Sequence, residues 1–436
     1  MGASLTDWEA SLKEMYSERE TKPLSFADNV LLGTMPKERK NGGGDYFTQV
    51  VYRQAPGGGS GSFAKAKLNG YSSKLSKLNI TRVPMWQRVA VNARLMLAGE
   101  KTDESVIAVS REFDNGFTEL ATKAERRLFR SASGRIGQVK STTTVTTDTI
   151  ILTDRADAWN FQAGDKCQFS ATETGGAVRV GGTSSGILTV ETVDYDAGTV
   201  KFTGADNQAE AGVAVLDFVY QDGDYDTCIA GLESWLPAGS GRTAALAASF
   251  FGLTRSVDPQ RLGGIYVDGT ALGGDANDII IHLESEVVKH GGKPDICICP
   301  TDFFRDLAKI WVSTRQGFER VMVSASDKTS SGEPLIISRL YPGIKAMVGG
   351  SMLTIVPTRN CPSNRLYMLQ RDTWTVRHVG SGIPMFATEE LGGQMLQMDT
   401  WTSGQTDIEV VGWLMADFNL GCEAPGKNGV ALLPTS

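Results

Sequence analysis

Two stretches near the end of the chain decide its fold class: Leu366-Tyr-Met-Leu-Gln-Arg-Asp-Thr-Trp-Thr-Val-Arg377 and Ile408-Glu-Val-Val-Gly-Trp-Leu-Met-Ala-Asp-Phe-Asn419. The first is an apolar strand followed by a Trp, and in the second apolar and polar residues alternate over a long strand. A polar turn follows, and Pro425-Gly-Lys-Asn-Gly-Val-Ala-Leu432 then predicts a closing segment. Because clear helical patterns precede these strands, the chain is predicted to be an α+β protein.

Composition limits the possible functions. With 436 residues and 41% hydrophobic content, the chain can bury a large core in two or three domains. No run of about 18 apolar residues predicts a membrane span, and the N-terminus lacks a signal-peptide pattern. The net charge of −7 disfavours tight binding of nucleic acid. Six scattered cysteines do not form a disulfide framework, so we expect the chain to be made in a cytosol.

The first hundred residues predict extensions rather than a compact unit. Residues 1–45 are interpreted as an arm with a short amphipathic helix that contacts a neighbouring subunit. Residues 46–100 are interpreted as an extended loop with flanking strands. Its hairpin, over residues 46–82, has a strand over Tyr46–Ala55, a flexible turn over Pro56–Ser62 and a return limb over Phe63–Arg82. The limbs contain few large apolar residues, so we expect support from another chain.

Residues 101–136 contain the strongest helix pattern. A helix over Thr102–Arg130 would be roughly 40 Å long, and Gly116 would permit a bend in its middle. Charges at both ends favour the helix dipole. One apolar stripe runs along it, made of Val106, Val109, Phe113, Phe117, Leu120, Ala124 and Leu128.

Residues 137–220 are rich in Thr, Val and Gly, and they predict a small all-β barrel or sandwich. The predicted strands are Thr142–Thr147, Thr149–Thr153, Lys166–Ser170, Ala177–Val180, Ile187–Val193, Thr199–Phe202 and Val213–Phe218. Residues 221–390 return to mixed α/β, and residues 391–436 are interpreted as the closing strand and the C-terminus. The elements predicted in the mixed region are a helix over Ala271–His290, a buried strand over Pro294–Cys299 and a helix over Thr301–Val312.

Two glycine motifs are weak signals of enzymatic sites. Gly59-Ser-Gly-Ser-Phe-Ala64 has the spacing of a dinucleotide-binding turn, but we expect no helix over Lys65–Lys77 and find no suitable acid beyond it. Gly182-Thr-Ser-Ser-Gly186 matches a nucleophile elbow, yet strand-like sequence flanks it on both sides. Both are interpreted as turns, and no Gly-Lys-Ser/Thr triplet of a P-loop occurs.

The remaining polar clusters do not predict chemistry either. Asp222–Glu233 approaches a calcium loop, but Thr227 replaces the required glycine, so an acidic connector is favoured and calcium is left open. Cys297 and Cys299 are predicted to be core thiols, since no further ligands complete a zinc site. With three histidines in the chain, a general base has few carriers. No enzymatic activity and no cofactor or metal is therefore predicted.

In the order of its parts, the chain resembles the major capsid proteins of tailed bacteriophages with the HK97 fold. The stretches that carry the likeness most specifically are Asp224–Pro237, Leu366–Arg377 and Ile408–Leu432. The resemblance implies an N-terminal arm, an extended β-hairpin loop, a long spine helix, and peripheral and axial domains, here with an inserted small all-β domain.

The resemblance also implies a function. Subunits would assemble as pentamers and hexamers into an icosahedral shell around double-stranded DNA, which they would not bind sequence-specifically. A separate scaffolding protein and a portal protein are expected as partners, and the protein would be made in the host bacterial cytoplasm and end in the virion. The residues expected at assembly contacts are Trp8, Pro56, Gly57, Gly58, Gly59, Phe63, Lys65, Arg315, Gln316 and Phe318.

Three alternatives remain at this stage. An encapsulin-type nanocompartment shares the fold but encloses proteins, and the β-domain favours the phage. A non-assembling β-rich binding protein would use residues 138–220 for recognition, and an enzyme ranks third. A covalent cross-link from Lys65, Lys67, Lys74 or Lys77 is not predicted, because no acceptor can be identified.

Overall fold

The computed structural model describes residues 29–39, 46–54, 56–92, 103–181, 186–313, 344–348, 351–379, 383–386, 396–398 and 409–434. The helices are α1 (Val30–Thr34), α2 (Phe63–Asn69), α3 (Asp103–Phe129), α4 (Asn207–Ala211), α5 (Leu232–Trp235), α6 (Arg242–Ala247), α7 (Pro259–Gly263), α8 (Ala276–Lys289) and α9 (Thr301–Ser313). Short 3₁₀ helices span Arg155–Asn160, Arg255–Val257, Arg371–Thr373 and Pro425–Lys427.

The strands form three six-stranded sheets and two small ribbons among the described residues. In chain order they are β1 (Lys37–Arg39), β2 (Tyr46–Gln54), β3 (Lys74–Thr81), β4 (Val83–Asn92), β5 (Arg135–Gln138), β6 (Thr149–Ile151), β7 (Lys166–Ser170), β8 (Leu188–Asp194), β9 (Thr199–Phe202), β10 (Phe218–Gln221), β11 (Ser249–Phe250), β12 (Leu253–Thr254), β13 (Ile265–Asp268), β14 (Ile296–Cys299), β15 (Ile344–Val348), β16 (Ser351–Pro357), β17 (Arg365–Leu369), β18 (Trp374–His378), β19 (Met385–Phe386), β20 (Leu396–Met398), β21 (Glu409–Cys422) and β22 (Gly429–Leu432).

The first sheet is organised around the long strand β21. Strand β4 pairs with one edge of β21 over ten residues, and β20, β19 and β18 pair with it in turn, all antiparallel. Strand β1 adds to β18 in parallel. The predicted long strand over Ile408–Asn419 thus lies at the centre of this sheet.

Helix α3 packs across the first sheet through its apolar stripe. Its Phe113, Leu120, Ala124 and Leu128 side chains are buried in the core, and Phe117 packs against it half-buried. The stripe was predicted from three- and four-residue spacing, and the structure confirms it for these residues. The side chains of the first turns of the helix lie outside the described residues.

Gly116 lies where helix α3 comes closest to the first sheet. A Cβ atom at Gly116 would lie 2.5 Å from Cγ2 of Val89 on β4 and 3.1 Å from Cδ1 of Leu414 on β21. Such separations are too short for real side chains, so the glycine lets the helix approach the sheet closely. Close packing against the sheet accounts for a glycine in the middle of this helix.

Residues 135–221 form a closed β-barrel. The strand order is β5-β10-β7-β8-β9-β6, with antiparallel pairing throughout. Backbone hydrogen bonds of 2.8 Å from Lys140 to Ile151 and from Thr153 to Gln138 join the last strand back to the first. The barrel has its own core, which contains Val139, Ile150, Phe161, Phe169, Val190, Val200, Phe202 and Val219.

Several predicted strands of this region are wrong. Thr142–Thr147 forms turns, because its hydroxyl groups bond nearby carbonyls, as Thr147 does to Thr144 at 2.8 Å. Ala177–Val180 contributes a single bridge. The strand predicted over Val213–Phe218 begins only at Phe218, after a turn. Helix α4 and the first 3₁₀ helix also lie in the segment, so it is mainly but not wholly β.

The mixed sheet has the order β13-β22-β17-β14-β16-β15. Helices α8 and α9 cover one face, where Cys297 and Cys299 are fully buried, while Ile296 and Ile298 enter the core on the other face. The prediction of two core thiols on one face of a buried strand is confirmed. Helix α8 begins five residues later than predicted because Asp275 caps it, accepting a 2.8 Å hydrogen bond from the Asn277 amide.

The three stretches that carry the family resemblance meet in one place. Trp235 and Trp374 are fully buried, with their rings 6.2 Å apart at 82°. The indole of Trp235 donates to the carbonyl of Leu420 at 3.1 Å, and the indole of Trp374 donates to Oδ1 of Asn428 at 2.8 Å. These side chains therefore join the first sheet to the mixed sheet.

The first sheet and the mixed sheet are each built from strands that lie far apart in the sequence. The last strand, β22, pairs with β13 and β17 of the mixed sheet rather than with the strands that β21 organises. Strands β18 and β19 pair with β21 in the first sheet. Nowhere in the described part of the chain is a helix both long and apolar enough to cross a membrane.

Candidate assembly surfaces

The extended hairpin is anchored to its own subunit at the base. Strands β2 and β3 pair antiparallel, and Phe47, Val51, Leu78 and Ile80 are buried in the same core as the first sheet. Arg377 of β18 also donates to the carbonyl of Thr48 at 2.9 Å. The expectation that the limbs need another chain for support is therefore wrong at the base. Alternation along each strand directs these four residues inward, whereas Val50 and Leu75 are exposed.

Beyond the base, residues 56–73 form a protrusion, here called the tip lobe. Gly57 and Tyr71 exchange backbone hydrogen bonds of 3.2 and 3.0 Å, which closes the lobe on itself. Gly58 has φ of 104°, and a Cβ atom there would lie 2.1 Å from the carbonyl oxygen of Asn69. Glycine is thus needed here for a closed turn, not only for flexibility.

Helix α2 lies in the tip lobe, which corrects the expectation that no helix follows Gly59–Ala64. None of its residues is buried, so it lacks the apolar stripe that would have revealed it. Its sequence of Ala, Lys and Leu favours a helix through local propensity instead. The strands on either side of it pair with each other, so the parallel β-α-β setting of a dinucleotide site does not arise.

Six of the ten predicted assembly residues lie together on the tip lobe. They are Pro56, Gly57, Gly58, Gly59, Phe63 and Lys65, and every residue of the lobe is exposed or only partly buried. Two apolar side chains stand out, since Phe63 is 86% and Leu68 is 83% exposed. Large exposed apolar groups that cluster often mark a protein contact. Trp8, Arg315, Gln316 and Phe318 lie outside the described residues.

A second feature ties the N-terminal segment to helix α3. The carboxylate of Glu125, which is fully buried, accepts hydrogen bonds from the backbone amides of Leu31 at 2.7 Å and Leu32 at 2.9 Å. Burial raises the pKa of Glu125 to about 7, against the opposing effect of those amides and of Lys37. The carboxylate of Glu125 thus satisfies two amides at the start of α1 and holds this short helix against α3.

The acidic segment Asp222–Glu233 is divided among separate partners. Asp224 pairs with Arg127 of α3, Asp226 accepts from the Gly175 amide at 2.8 Å, and Glu233 contacts two arginines. No group of three or more metal-ligating side chains is found among the residues that the structure describes. The segment therefore links the barrel, α3 and the mixed sheet through ion pairs.

Glu233 lies at the centre of this linkage. Its carboxylate is 3.0 Å from a guanidinium nitrogen of Arg135 on β5 and 2.7 Å from one of Arg365 on β17. Burial alone would raise its pKa, but the guanidinium groups of Arg365 and Arg135 outweigh burial and lower the pKa to about 2. The ion triad holds the barrel against the mixed sheet and was not visible in the sequence.

Neither the family models nor the curated proteins include a match to this sequence. Among solved structures, the chain is similar to one from the capsid asymmetric unit of cyanophage A-1(L), with a TM-score of 0.51 and 10% sequence identity over 94% of both chains. The chain has the HK97 capsid fold. Similarity extends at lower scores to the cyanophage P-SCSP1u capsid (TM-score 0.41, 9% identity, 98% of this chain and 95% of that one) and to the SrpI encapsulin complex of Synechococcus elongatus PCC 7942 (0.41, 9%, 97% and 94%).

Helix α3 packs across the first sheet, and the β2–β3 ribbon extends from the same core. The tip lobe is the part of the described chain with the least burial over a continuous stretch of this length. It is therefore the first candidate for a contact between subunits.

Proposed function

We propose that this chain is the major capsid protein of a tailed bacteriophage. Its subunits would assemble as pentamers and hexamers into an icosahedral shell that encloses double-stranded DNA. The observation that carries the proposal is the fold likeness to a cyanophage capsid chain, which spans 94% of both chains. The tip lobe supports it, because a lobe without a core of its own suits a contact completed by a neighbour.

The mechanism is geometric rather than chemical. Each subunit offers several separate surfaces, including the tip lobe and the arm, so weak contacts at each are multiplied in a closed shell. The function needs no catalytic residue, cofactor or metal. A scaffolding protein and a portal protein would complete assembly, the closed barrel of residues 135–221 would be an insertion in the family fold, and the virion would be the final location.

Excision of the tip lobe tests the proposal. Residues 55–73 would be replaced by Asn-Gly, a two-residue turn that joins the paired residues Gln54 and Lys74 directly. Because side chains of the lobe are not buried in the subunit core, the excised chain should keep its circular dichroism spectrum and melting temperature. Sedimentation and negative-stain microscopy should show shells or rings for the parent chain and only unassembled subunits for the variant.

The contents of the particles separate the proposed phage capsid from a protein compartment. Particles from cells that carry the packaging machinery should protect double-stranded DNA from nuclease. Their ultraviolet absorbance should be that of a nucleoprotein. Particles that contain only protein would contradict DNA enclosure but not shell formation. A parent chain that stays monomeric, even with a co-expressed scaffold, would contradict the shell function itself.

A further inference from the structure

Charge is distributed very unevenly along this chain. Residues 46–92, which contain the extended loop and β4, include seven basic residues and no acidic one. The rest of the chain therefore has 36 basic residues against 50 acidic ones. Within that remainder, residues 137–220 of the barrel carry five basic and eleven acidic residues. A basic extension on a subunit with an acidic barrel is complementary to a second copy of the same chain.

The tip lobe presents apolar and cationic groups together. Helix α2 exposes Phe63 and Leu68 almost fully, and Lys65 and Lys67 lie between them on the same seven-residue helix. Phe63 and Lys67 are four residues apart, so they share one face of the helix. A partner surface should therefore offer exposed aromatic or aliphatic groups next to carboxylates.

The barrel carries such a surface. The rings of Trp159 and Tyr195 stack with centroids 4.3 Å apart and planes 14° from parallel, yet the residues remain 42% and 37% exposed. Tyr195 lies in the turn between β8 and β9, and Asp194, Asp196 and Glu191 belong to that turn or to β8. An exposed aromatic stack beside carboxylates is unusual on a free surface, where apolar groups are mostly scattered singly.

The cations around the aromatic stack do not neutralise the carboxylates beside it. Lys201 lies 2.7 Å from Glu191 and 3.7 Å from Asp148, and Arg155 donates to the carbonyl of Asp196. Arg126 is a third cation close to Tyr195, and the three cations leave a negative excess of one against the four carboxylates Asp148, Glu191, Asp194 and Asp196. Phosphate would be repelled by this surface, whereas an ammonium group would be attracted.

We propose that the tip lobe of one subunit docks on the Trp159–Tyr195 stack of a neighbouring subunit. Phe63 and Leu68 cover the two rings, and Lys65 and Lys67 lie beside Glu191 and Asp196. Both surfaces are exposed in the single chain, so neither covers the other within one subunit. The inference rests on the proposed shell function and assigns a specific contact to it.

A charge exchange tests the contact. Lys65→Glu with Lys67→Glu should raise the subunit concentration needed for assembly about tenfold, because two charge pairs become repulsive. Glu191→Lys with Asp196→Lys should have a similar effect. All four changes together should restore assembly to within about threefold of the parent chain, since opposite charges again face each other.

The matched control changes charge elsewhere by the same amount. Lys140→Glu with Lys293→Glu alters two exposed lysines outside both surfaces and should leave the assembly concentration within about twofold. Circular dichroism melting of every variant would verify folding. A parent chain that does not assemble would contradict the shell function. If the parent assembles, the inferred contact can be tested separately from the shell function.

Given an assembling parent, two results would overturn the inferred contact. In one, the combined variant assembles no better than either charge-reversed pair. In the other, Lys65→Glu with Lys67→Glu assembles normally but its particles lose DNA, which would assign the tip lobe to nucleic acid instead. The contact would be supported if the combined variant regains assembly and the control variant assembles like the parent.

Discussion

Replacing Glu233 by Gln should release the barrel from the rest of the subunit. The isosteric amide keeps the shape of the side chain but removes the negative charge between Arg135 and Arg365. Two guanidinium groups then lie at a largely buried site with less compensation, since Arg135 keeps only weaker interactions, with Glu173 at 3.7 Å and with Asp157. Breaking a buried ion pair in this way typically costs about 3–5 kcal/mol.

The pKa of Glu233 gives an independent magnitude. Its lowering from 4.5 to about 2 corresponds to about 3 kcal/mol of folding free energy, at about 1.4 kcal/mol per pKa unit. Because the folded pKa is depressed, this stability is present above pH 4.5 and is lost as pH falls toward 2. The free-energy difference between parent and Glu233→Gln should therefore be full at pH 7 and shrink below pH 4.5.

Urea unfolding of the unassembled subunit, followed by circular dichroism and Trp fluorescence, measures both effects. Glu191→Gln is the matched control, because Glu191 also pairs with a cation but is about half exposed, and its loss should cost less than about 1 kcal/mol. A Glu233→Gln variant within 1 kcal/mol of the parent at pH 7 would refute the anchoring role. So would a difference from the parent that stays constant down to pH 3.

Two further substitutions test the packing of the subunit. Asn428→Ala should lower the free energy of unfolding by about 2–5 kcal/mol, because the buried indole N–H of Trp374 and the amide of Gln370 lose their acceptor. Asn79→Ala, at an exposed position, is the control. Equal urea midpoints for the two variants would contradict this reasoning. Gly116→Ala should cost about 1–3 kcal/mol through overpacking against Val89, despite the better helix propensity of Ala. Asn115→Ala, at an exposed position of the same helix, is the control and should be neutral or slightly stabilising. Gly116→Ala combined with Val89→Ala should recover part of the lost stability. A Gly116→Ala variant with a melting temperature at or above that of the parent would show that the helix can move away from β4.

Long elements with a strong period could be predicted from the sequence. The stripe along α3, the alternation along β21 and the fully apolar β14 each have one dominant burial pattern, and their residues lie where the pattern places them. Lys166–Ser170 and Thr199–Phe202 were predicted to the residue. In each case the burial that stabilises the element also produces its sequence pattern.

Elements fixed by short-range polar groups or by other parts of the chain were harder to predict. Turns at Thr142–Thr147 depend on hydroxyl hydrogen bonds, which the β propensity of Thr conceals. Helix α2 buries nothing and so has no periodic signal. The assignment of β22 to the mixed sheet depends on pairing between distant segments. Sequence spacing contains no information on such pairing.

The candidate site was only partly accessible to sequence reasoning. The glycine-rich tip was identified by its composition, but Leu68, Trp159 and Tyr195 were missed because exposure of apolar residues cannot be read from a short window. One signal could have drawn attention to the surface that contains Leu68. A segment of 47 residues without a single acid, in a chain with 50 acids, indicates a surface selected for an acidic partner.

The tip lobe and the hairpin base show how one ribbon can meet two different demands. At the base, Val51 and Ile80 are completely buried, so their sequence is constrained by folding of the subunit. The tip lobe, residues 56–73, has no buried side chain, so nothing in the isolated subunit requires Phe63 or Leu68 to be apolar. Exposed apolar groups of this size favour aggregation unless a partner covers them. A shell provides one covering surface for every lobe, and a contact of a few side chains is weak enough to be corrected during assembly yet strong when repeated.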